Sequence, residues 1–190
     1  MQKKAVVISG PSGVGKSTVC GRLLKLPGSC GIKFERSVSA TTRKMRRNEK
    51  EGVDYYFIAE KKFGGWLKQR RFLEHADIAG ARYGTLKSEL KRISDYGSVP
   101  LLTLDPQGVL QLKRKKVDAV YIFLLPPRKS ALKERLQKRS TETAVEMEKR
   151  IKLAESEMEY KSIYDYRVVN NDIDKAVAKI LEIALRETKY

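Results

Sequence analysis

The sequence predicts an α/β fold in which a parallel sheet lies between two layers of helices. Two observations lead to this prediction. Short apolar runs rich in β-branched residues alternate with helix-forming segments along much of the 190-residue chain, and this alternation is typical of parallel strands joined by helices. The turn after the first apolar run also reads G-x-x-x-x-G-K-S, which is the spacing of a phosphate-binding loop between a strand and a helix.

The first predicted strand and helix flank this loop. The strand covers residues 5–9, and the helix covers residues 18–26, where Pro27 and Gly28 end it. Glycines in the loop at residues 10–17 let successive backbone N–H groups point inward at a polyphosphate. Lys16 would reach the outer phosphates, and the Ser17 hydroxyl is placed to coordinate Mg²⁺. We therefore expect a polyphosphate and a magnesium ion to bind here.

Residues 34–90 differ in character from the segments on either side. They contain short strand-like pieces at 34–40 and 55–58, a basic loop at 42–52 and a helix around 61–69. This pattern predicts an insertion with a small sheet of its own.

The alternation of strands and helices resumes near residue 99. Residues 119–125 are a continuous apolar run of the kind that is buried on both faces of a parallel sheet. The other predicted elements are a strand at 100–105, helices at 107–114, 129–137 and 144–160 with a polar turn at 139–143, a strand at 166–169 and a closing helix at 173–185.

Composition narrows the class of protein. Two cysteines and one histidine have no metal-site spacing, and no apolar run approaches the 18 residues of a membrane span. We therefore expect a cytoplasmic protein without a membrane partner. The formal net charge of +17 favours anionic partners. Because the basic residues are spread along the chain, small phosphorylated ligands are favoured over nucleic acid.

The insertion carries candidates for a second ligand. Arg43 and Arg46 have a spacing that allows two guanidiniums to bind one phosphate, and Tyr55 and Tyr83 could donate hydroxyls to the same group. The Glu74 carboxylate can accept hydrogen bonds from adjacent N–H donors of a base. Asp105 could do the same, because it ends a predicted strand and ligands bind beyond the strand ends of such sheets.

With these motifs in hand, the chain resembles guanylate kinases over nearly its full length. The matching segments follow one another in family order: GPSGVGKST at 10–18, SVSATTRKMRRNEKEGVDYYF at 37–57, FLEHADIAGARYGT at 72–85, LDPQG at 104–108, IFLLPPRKSALKERLQKR at 122–139 and YDYRVVNND at 164–172. The second and third segments are more specific to this family than the phosphate loop is.

The resemblance implies a P-loop kinase with a small GMP-binding insertion and a helical lid, which transfers the γ-phosphoryl group of ATP to GMP. Within a single domain, the core would comprise residues 1–33, 98–126 and 163–190, the insertion residues 34–97 and the lid residues 127–162. The substrates would be ATP and GMP, and Mg²⁺ would accompany ATP. The sequence leaves the oligomeric state and the use of dGMP open.

The resemblance also assigns roles to individual residues. The ATP-binding residues would be Gly10, Pro11, Ser12, Gly13, Val14, Gly15, Lys16, Ser17 and Thr18, with Asn170 in the segment that borders the adenine. The guanine would contact Ser39, Glu74, Thr85 and Asp105, and the GMP phosphate would contact Arg43, Arg46, Tyr55 and Tyr83. The catalytic residues would be Lys16, Arg43 and the lid arginines Arg135, Arg139 and Arg150.

One position departs from the family pattern. Thr103 stands where the family usually has an acidic residue that helps to organise Lys16 and the water shell of Mg²⁺. His75 is expected to be a bystander beside Glu74, because the GMP phosphate oxygen attacks directly and proton abstraction does not limit this chemistry.

Two alternatives to a guanylate kinase remain at this point. One is a non-catalytic module of the same fold that holds a phosphorylated peptide. The other is a kinase for a different nucleoside monophosphate. The intact loop opposes the first, and the combination of Ser39, Glu74 and Asp105 opposes the second.

Overall fold

The structure is a computed structural model that describes residues 4–78, 80–137 and 144–188. Its strands are β1 Ala5–Ser9, β2 Phe34–Arg36, β3 Ser39–Thr41, β4 Tyr55–Phe57, β5 Phe72–Ile78, β6 Ala81–Leu86, β7 Val99–Thr103, β8 Ala119–Leu125 and β9 Tyr166–Val169. Its helices are α1 Lys16–Leu23, α2 Glu60–Lys68, α3 Lys87–Asp95, α4 Pro106–Arg114, α5 Lys129–Gln137, α6 Ala144–Glu159 and α7 Ile173–Glu187.

The larger sheet is parallel throughout and has the strand order β2-β7-β1-β8-β9. Strand β1 lies at its centre, and all five of its residues are buried. Since a parallel sheet is covered on both faces, its central strands are almost entirely apolar. This arrangement confirms the fold class that the sequence predicts.

Helices cover both faces of this sheet. Val6 and Ile8 of β1 pack on the face that carries α1 and α7, whereas Val7 packs on the opposite face with α4. Successive strand residues point to opposite faces, so one short apolar run contributes to both layers of the core. In the described parts of the chain, every helix is too short or too polar to cross a bilayer.

The smaller sheet has the strand order β4-β3-β6-β5 and lies within the predicted insertion. Strands β5 and β6 form an antiparallel hairpin, β6 also pairs antiparallel with β3, and β3 pairs parallel with β4. Phe63 of α2 stacks on Phe72 of β5 with ring centroids 4.4 Å apart, which gives this sheet a core of its own.

The predicted strand at residues 34–40 is two strands in the structure. β2 pairs with β7 in the core sheet, and β3 belongs to the insertion sheet. At the bend between them, the Val38 backbone N–H donates to the buried Glu89 carboxylate at 2.9 Å. Glu89 thereby accepts a hydrogen bond from a backbone N–H group in the segment that joins the two sheets.

Three elements of the insertion have no counterpart among the sequence predictions. These are β5, β6 and α3. The helices and strands that follow residue 99 lie within a few residues of their predicted bounds. The polar turn predicted at 139–143 lies outside the described residues.

Candidate active site

The glycine-rich loop connects β1 to α1. Gly10 has a φ of +143°, and a Cβ there would lie 2.6 Å from the Leu124 carbonyl oxygen. Gly15 has a φ of +104°, and a Cβ there would lie 2.6 Å from the Asn170 amide nitrogen. Both positions therefore require glycine, because another residue would be strained and would collide with the neighbouring strand end.

Lys16 turns its side chain back over the loop. Its Nζ donates to the Pro11 carbonyl at 3.2 Å and also to the Gly10 carbonyl. Burial lowers the pKa of Lys16, while the negative charges of Glu157 and Asp105 act in the opposite direction. A cation at this place is available to the outer phosphates of a ligand on the loop.

Two side chains hold the loop by donating hydrogen bonds to the Val14 carbonyl oxygen. The Asn170 side-chain amide donates to it at 2.8 Å, and Arg135 Nη1 donates to it at 3.1 Å. Arg135 Nη2 also donates to the Asn170 carbonyl at 3.1 Å, which links α5 to the end of β9. The structure therefore brings Arg135 and Asn170 to the loop. Arg139 lies outside the described residues, and of Arg150 only its place in α6 is described.

A carboxylate from α6 contacts the loop at Ser12. Glu157 Oε2 accepts a hydrogen bond of 2.8 Å from the Ser12 backbone N–H. Burial raises the pKa of Glu157, while the bond to Ser12 and the charge of Lys16 lower it. The sequence does not single out this residue, because one glutamate in a charged helix carries no signal of a distant partner.

Four polar residues that the sequence analysis assigned to the base come together at the insertion. The hydroxyls of Ser39 and Thr85 lie 3.2 Å apart, and the Thr85 backbone N–H donates to Glu74 Oε1 at 2.9 Å. Asp105 Oδ1 accepts from the Gly108 N–H at 2.7 Å and caps α4. A Cβ at Gly108 would lie 3.1 Å from Glu74 Oε2 and 3.4 Å from Asp105 Oδ1, so both carboxylates converge on this glycine.

Glu74 is a buried carboxyl group with a perturbed pKa. Burial raises its pKa to about 7, Asp105 adds to the increase, and the bonds to Thr85 oppose it. A carboxyl group in this range changes its protonation close to neutral pH. It can therefore accept hydrogen bonds from two adjacent N–H donors only when it loses its proton.

Helix α4 attaches to β5 through two residues that the sequence analysis missed. Gln111 accepts from the His75 backbone N–H at 3.1 Å and donates to the His75 carbonyl at 2.6 Å. Lys115 donates to the carbonyl oxygens of Leu73 and Phe72. These bonds flank Glu74 and fix its distance from Asp105 at the start of α4. His75 thus contributes to this attachment through its backbone N–H and carbonyl groups.

Arg43 lies among aromatic rings of the insertion. Its Nε donates to the Tyr83 hydroxyl at 3.2 Å, and its guanidinium lies 5.6 Å from the centre of the Tyr55 ring. Glu49, which the sequence analysis did not identify, accepts from Arg43 Nη2 at 2.7 Å and from the Arg46 backbone N–H at 2.8 Å. Arg43, Tyr55 and Tyr83 are therefore brought together, whereas the Arg46 side chain is exposed and joins this group only through its backbone.

A cavity of about 220 Å³ lies between α1 and the insertion. Its lining includes Ser17 from the loop, Thr103 from β7, and Ser39, Tyr55 and Thr85 from the insertion. It therefore connects the end of the loop with the hydroxyls of Ser39 and Thr85, which together with Glu74 and Asp105 form a polar pocket. Thr103 is also 3.3 Å from the sulfur of the buried Cys20, so a neutral hydroxyl stands where the family usually has a carboxylate.

Residues for a magnesium ion are sparse here. Among the described His, Cys, Asp and Glu side chains, no cluster of three is placed to hold a metal ion. Ser17 is exposed at the cavity. The Ser17 hydroxyl could contribute one ligand to a Mg²⁺ ion, which commonly completes its shell with phosphate oxygens and water.

A glycine-rich loop that shares a cavity with a second polar pocket, at the carboxyl edge of a parallel sheet, is the arrangement of a P-loop kinase. The family model described as guanylate kinase matches residues 2–187. The chain therefore belongs to the guanylate kinase family.

Individual relatives agree with this assignment. The guanylate kinase of Clostridium perfringens is 44% identical over 182 residues, which cover 96% of this chain and 82% of the relative. That of Fusobacterium nucleatum is 42% identical over 177 residues, which cover 93% of each chain. The crystal structure of guanylate kinase from Anaplasma phagocytophilum superimposes with a TM-score of 0.75 at 31% identity, covering 100% of this chain and 89% of that one.

The family gives the activity: the chain is an ATP:GMP phosphotransferase. The comparisons favour this enzyme over the two alternatives, a phosphopeptide-binding module and a kinase for another nucleoside monophosphate.

Proposed function

We propose that the chain holds ATP on the loop at residues 10–17 and GMP in the polar pocket of the insertion, and that the phosphoryl group passes directly between them. The observation that carries this proposal is the shared cavity, which is lined by Ser17 on one side and by Ser39, Tyr55 and Thr85 on the other. Two bound anions would meet there without a covalent intermediate on the protein.

The loop supplies the donor side of the proposal. Its backbone N–H groups would bind the phosphates of ATP, and Lys16 would leave the carbonyls of Gly10 and Pro11 to reach the outer phosphates. Asn170 and Arg135 hold the loop at the Val14 carbonyl and keep its N–H groups in place. Thr18 follows Ser17 in the first turn of α1 and completes the donor contacts.

Ser17 would hold Mg²⁺ together with the phosphates of ATP. When bound, the ion neutralises charge on the transferred group. Thr103 adds no negative charge at this place, so the phosphates and water would supply the remaining ligands.

The insertion supplies the acceptor side. Ionised Glu74 would accept hydrogen bonds from the base, with Ser39, Thr85 and Asp105 around it. Arg43 and Tyr83 would bind the GMP phosphate, joined by Tyr55 and Arg46. Arg43 Nη2 is paired with Glu49, so the phosphate would compete with this carboxylate for one N–H group of the guanidinium.

The lid would complete the site. Arg135 already contacts the loop from α5, and the proposal adds Arg139 and Arg150 as cations that approach the reacting phosphates. Closure would exclude water, which otherwise accepts the phosphoryl group.

Steady-state phosphoryl transfer from Mg-ATP tests the proposal, with GMP, dGMP, AMP, UMP and dTMP offered separately. We expect turnover only with the guanine nucleotides. The variant Glu74→Gln should raise the KM for GMP by at least about 100-fold, because a base that loses a paired acceptor leaves its own N–H groups without partners. The KM for ATP should stay within about twofold in that variant. An unchanged KM for GMP would show that the acceptor pocket is misplaced.

A further inference from the structure

Glu157 occupies the position on the loop where an anionic ligand would bind. Helix α6 carries it, and its carboxylate accepts the Ser12 backbone N–H at 2.8 Å across 145 residues of sequence. Inward-pointing N–H groups of a glycine-rich loop form an anion site by their geometry. In this structure, the anion at Ser12 is a side chain of the protein itself.

Lys16 and Glu157 also influence each other through their charges. Glu157 contributes most among the charged groups that favour the protonated form of Lys16, ahead of Asp105. Lys16 in turn favours the ionised form of Glu157. The lysine and the backbone donor that would serve a phosphate therefore both act on Glu157.

The contact also connects the loop with the lid. Helix α6 contacts the loop at the Ser12 N–H through Glu157, and helix α5 contacts it at the Val14 carbonyl through Arg135. Both helices lie in the segment that the sequence analysis assigns to the lid.

We propose that Glu157 is an internal competitor of the ATP phosphates and sets the affinity of the donor site. A phosphate that takes the Ser12 N–H must displace the carboxylate, and the displacement frees α6 from the loop. The apparent affinity for ATP is then lower than the intrinsic affinity by the fraction of molecules in which the loop is open. This inference rests on the proposed donor site at the loop.

Three variants distinguish an effect of Glu157 occupying the Ser12 N–H from an effect of its negative charge. Glu157→Gln removes the charge and weakens the contact. Glu157→Asp keeps the charge but is one methylene too short to reach Ser12. Glu155→Gln changes the charge of the same helix at an exposed position and serves as the matched control.

The measurement is the Kd of Mg-ATP by calorimetry in the absence of GMP, with thermal melting to check that each variant folds. We expect both Glu157 variants to bind ATP about three- to tenfold more tightly, because the competitor is removed. Glu155→Gln should bind ATP like the parent chain. Inorganic triphosphate should show the same order of affinities, since the competition concerns phosphates alone.

Two patterns of ATP affinity would assign Glu157 a different role and overturn the inference. If Glu157→Asp binds ATP like the parent chain while Glu157→Gln binds it more tightly, the effect is one of charge and not of occupancy. If both variants bind ATP more weakly, Glu157 supports the nucleotide.

Lys16→Met distinguishes a failure of the inference from a failure of the donor site. Loss of ATP binding in Lys16→Met with no change in the Glu157 variants rejects only the competition. Normal ATP binding in Lys16→Met would instead show that the donor site lies elsewhere, and both proposals would fall.

Discussion

The Glu74 carboxylate accepts the Thr85 backbone N–H at 2.9 Å while its burial raises its pKa to about 7. The group is therefore half protonated near neutral pH in the free protein. It must be ionised to accept two N–H groups from a guanine. Binding of GMP and loss of this proton are thus linked.

We expect the affinity for GMP to fall as the pH decreases below 7. The apparent Kd should rise about tenfold for each further pH unit, since protonated Glu74 must first lose its proton. Calorimetry between pH 5 and pH 8 would measure this dependence. Glu74→Gln provides the control, because it retains the titration of the GMP phosphate and loses that of the carboxyl group. Equal slopes for both proteins would contradict the prediction.

The same group should make the protein less stable as the pH rises. The pKa of Glu74 is about 7 in the folded chain against an ordinary value of 4.5, so the folded state binds the proton more tightly between these values. Stability is therefore greater below pH 4.5 and decreases by about 3 kcal/mol as the pH rises from 4.5 through 7. Urea unfolding at pH 5 and pH 8 should show that Glu74→Gln gains about 2.5 kcal/mol relative to the parent chain between these two pH values. A constant difference between the two proteins would refute the assignment of a raised pKa.

Lys16→Met should lower kcat by at least about 100-fold, because it removes a preorganised cation from the charge that develops on the transferred group. The fold should persist, since the Lys16 side chain donates to loop carbonyls and belongs to neither apolar cluster of the core. Initial-rate kinetics and circular dichroism measure the two effects. Near-normal rates in a folded variant would remove Lys16 from the mechanism.

Gly108→Ala should separate stability from acceptor binding. A methyl group there would lie 3.1 Å from Glu74 Oε2 and displace the carboxylate. Alanine also favours a helix by about 0.5–1 kcal/mol over glycine, so the free energy of unfolding should not fall by more than about 1 kcal/mol. We expect the KM for GMP to rise about three- to tenfold and the KM for ATP to stay unchanged. A parallel rise in both KM values would argue against a local effect on the base pocket.

Asn170→Ala should loosen the loop. The variant removes a buried hydrogen bond of 2.8 Å to the Val14 carbonyl, which costs about 1–2 kcal/mol of stability. The KM for ATP should increase several-fold, because the loop loses one of the two side chains that donate to the Val14 carbonyl. The adjacent Asn171 is exposed, and Asn171→Ala is the matched control for thermal melting and kinetics. A similar loss in both variants would mean that Asn170 has no special role at the loop.

Local patterns were sufficient to predict the core and the loop. Gly10 and Gly15 stand where the backbone has positive φ, and the β-branched run of β1 reports burial on both faces. The grouping of Ser39, Glu74 and Thr85 is predicted by the resemblance to guanylate kinases. Its physical basis is the antiparallel register that places Ser39 opposite Thr85 and Thr85 opposite Glu74.

The charged residues that complete the site could not be predicted in the same way. Glu49 and Glu157 act by pairing with Arg43 and Ser12, and the choice of a partner is made by the folded chain. Glu89 is a similar case, because its position in α3 does not reveal that it binds Val38 and divides one predicted strand into two. Such contacts leave no periodicity in the sequence.

The placement of β1 between β7 and β8 has a consequence for biosynthesis. The two neighbours of this strand begin at Val99 and Ala119, so about a hundred residues must be translated after β1 before either pairing is possible. At the usual speed of synthesis this takes roughly 5–20 s. During that interval the growing polypeptide carries an apolar segment without its sheet partners, whereas the strands of the insertion sheet, which end at Leu86, can already pair with one another.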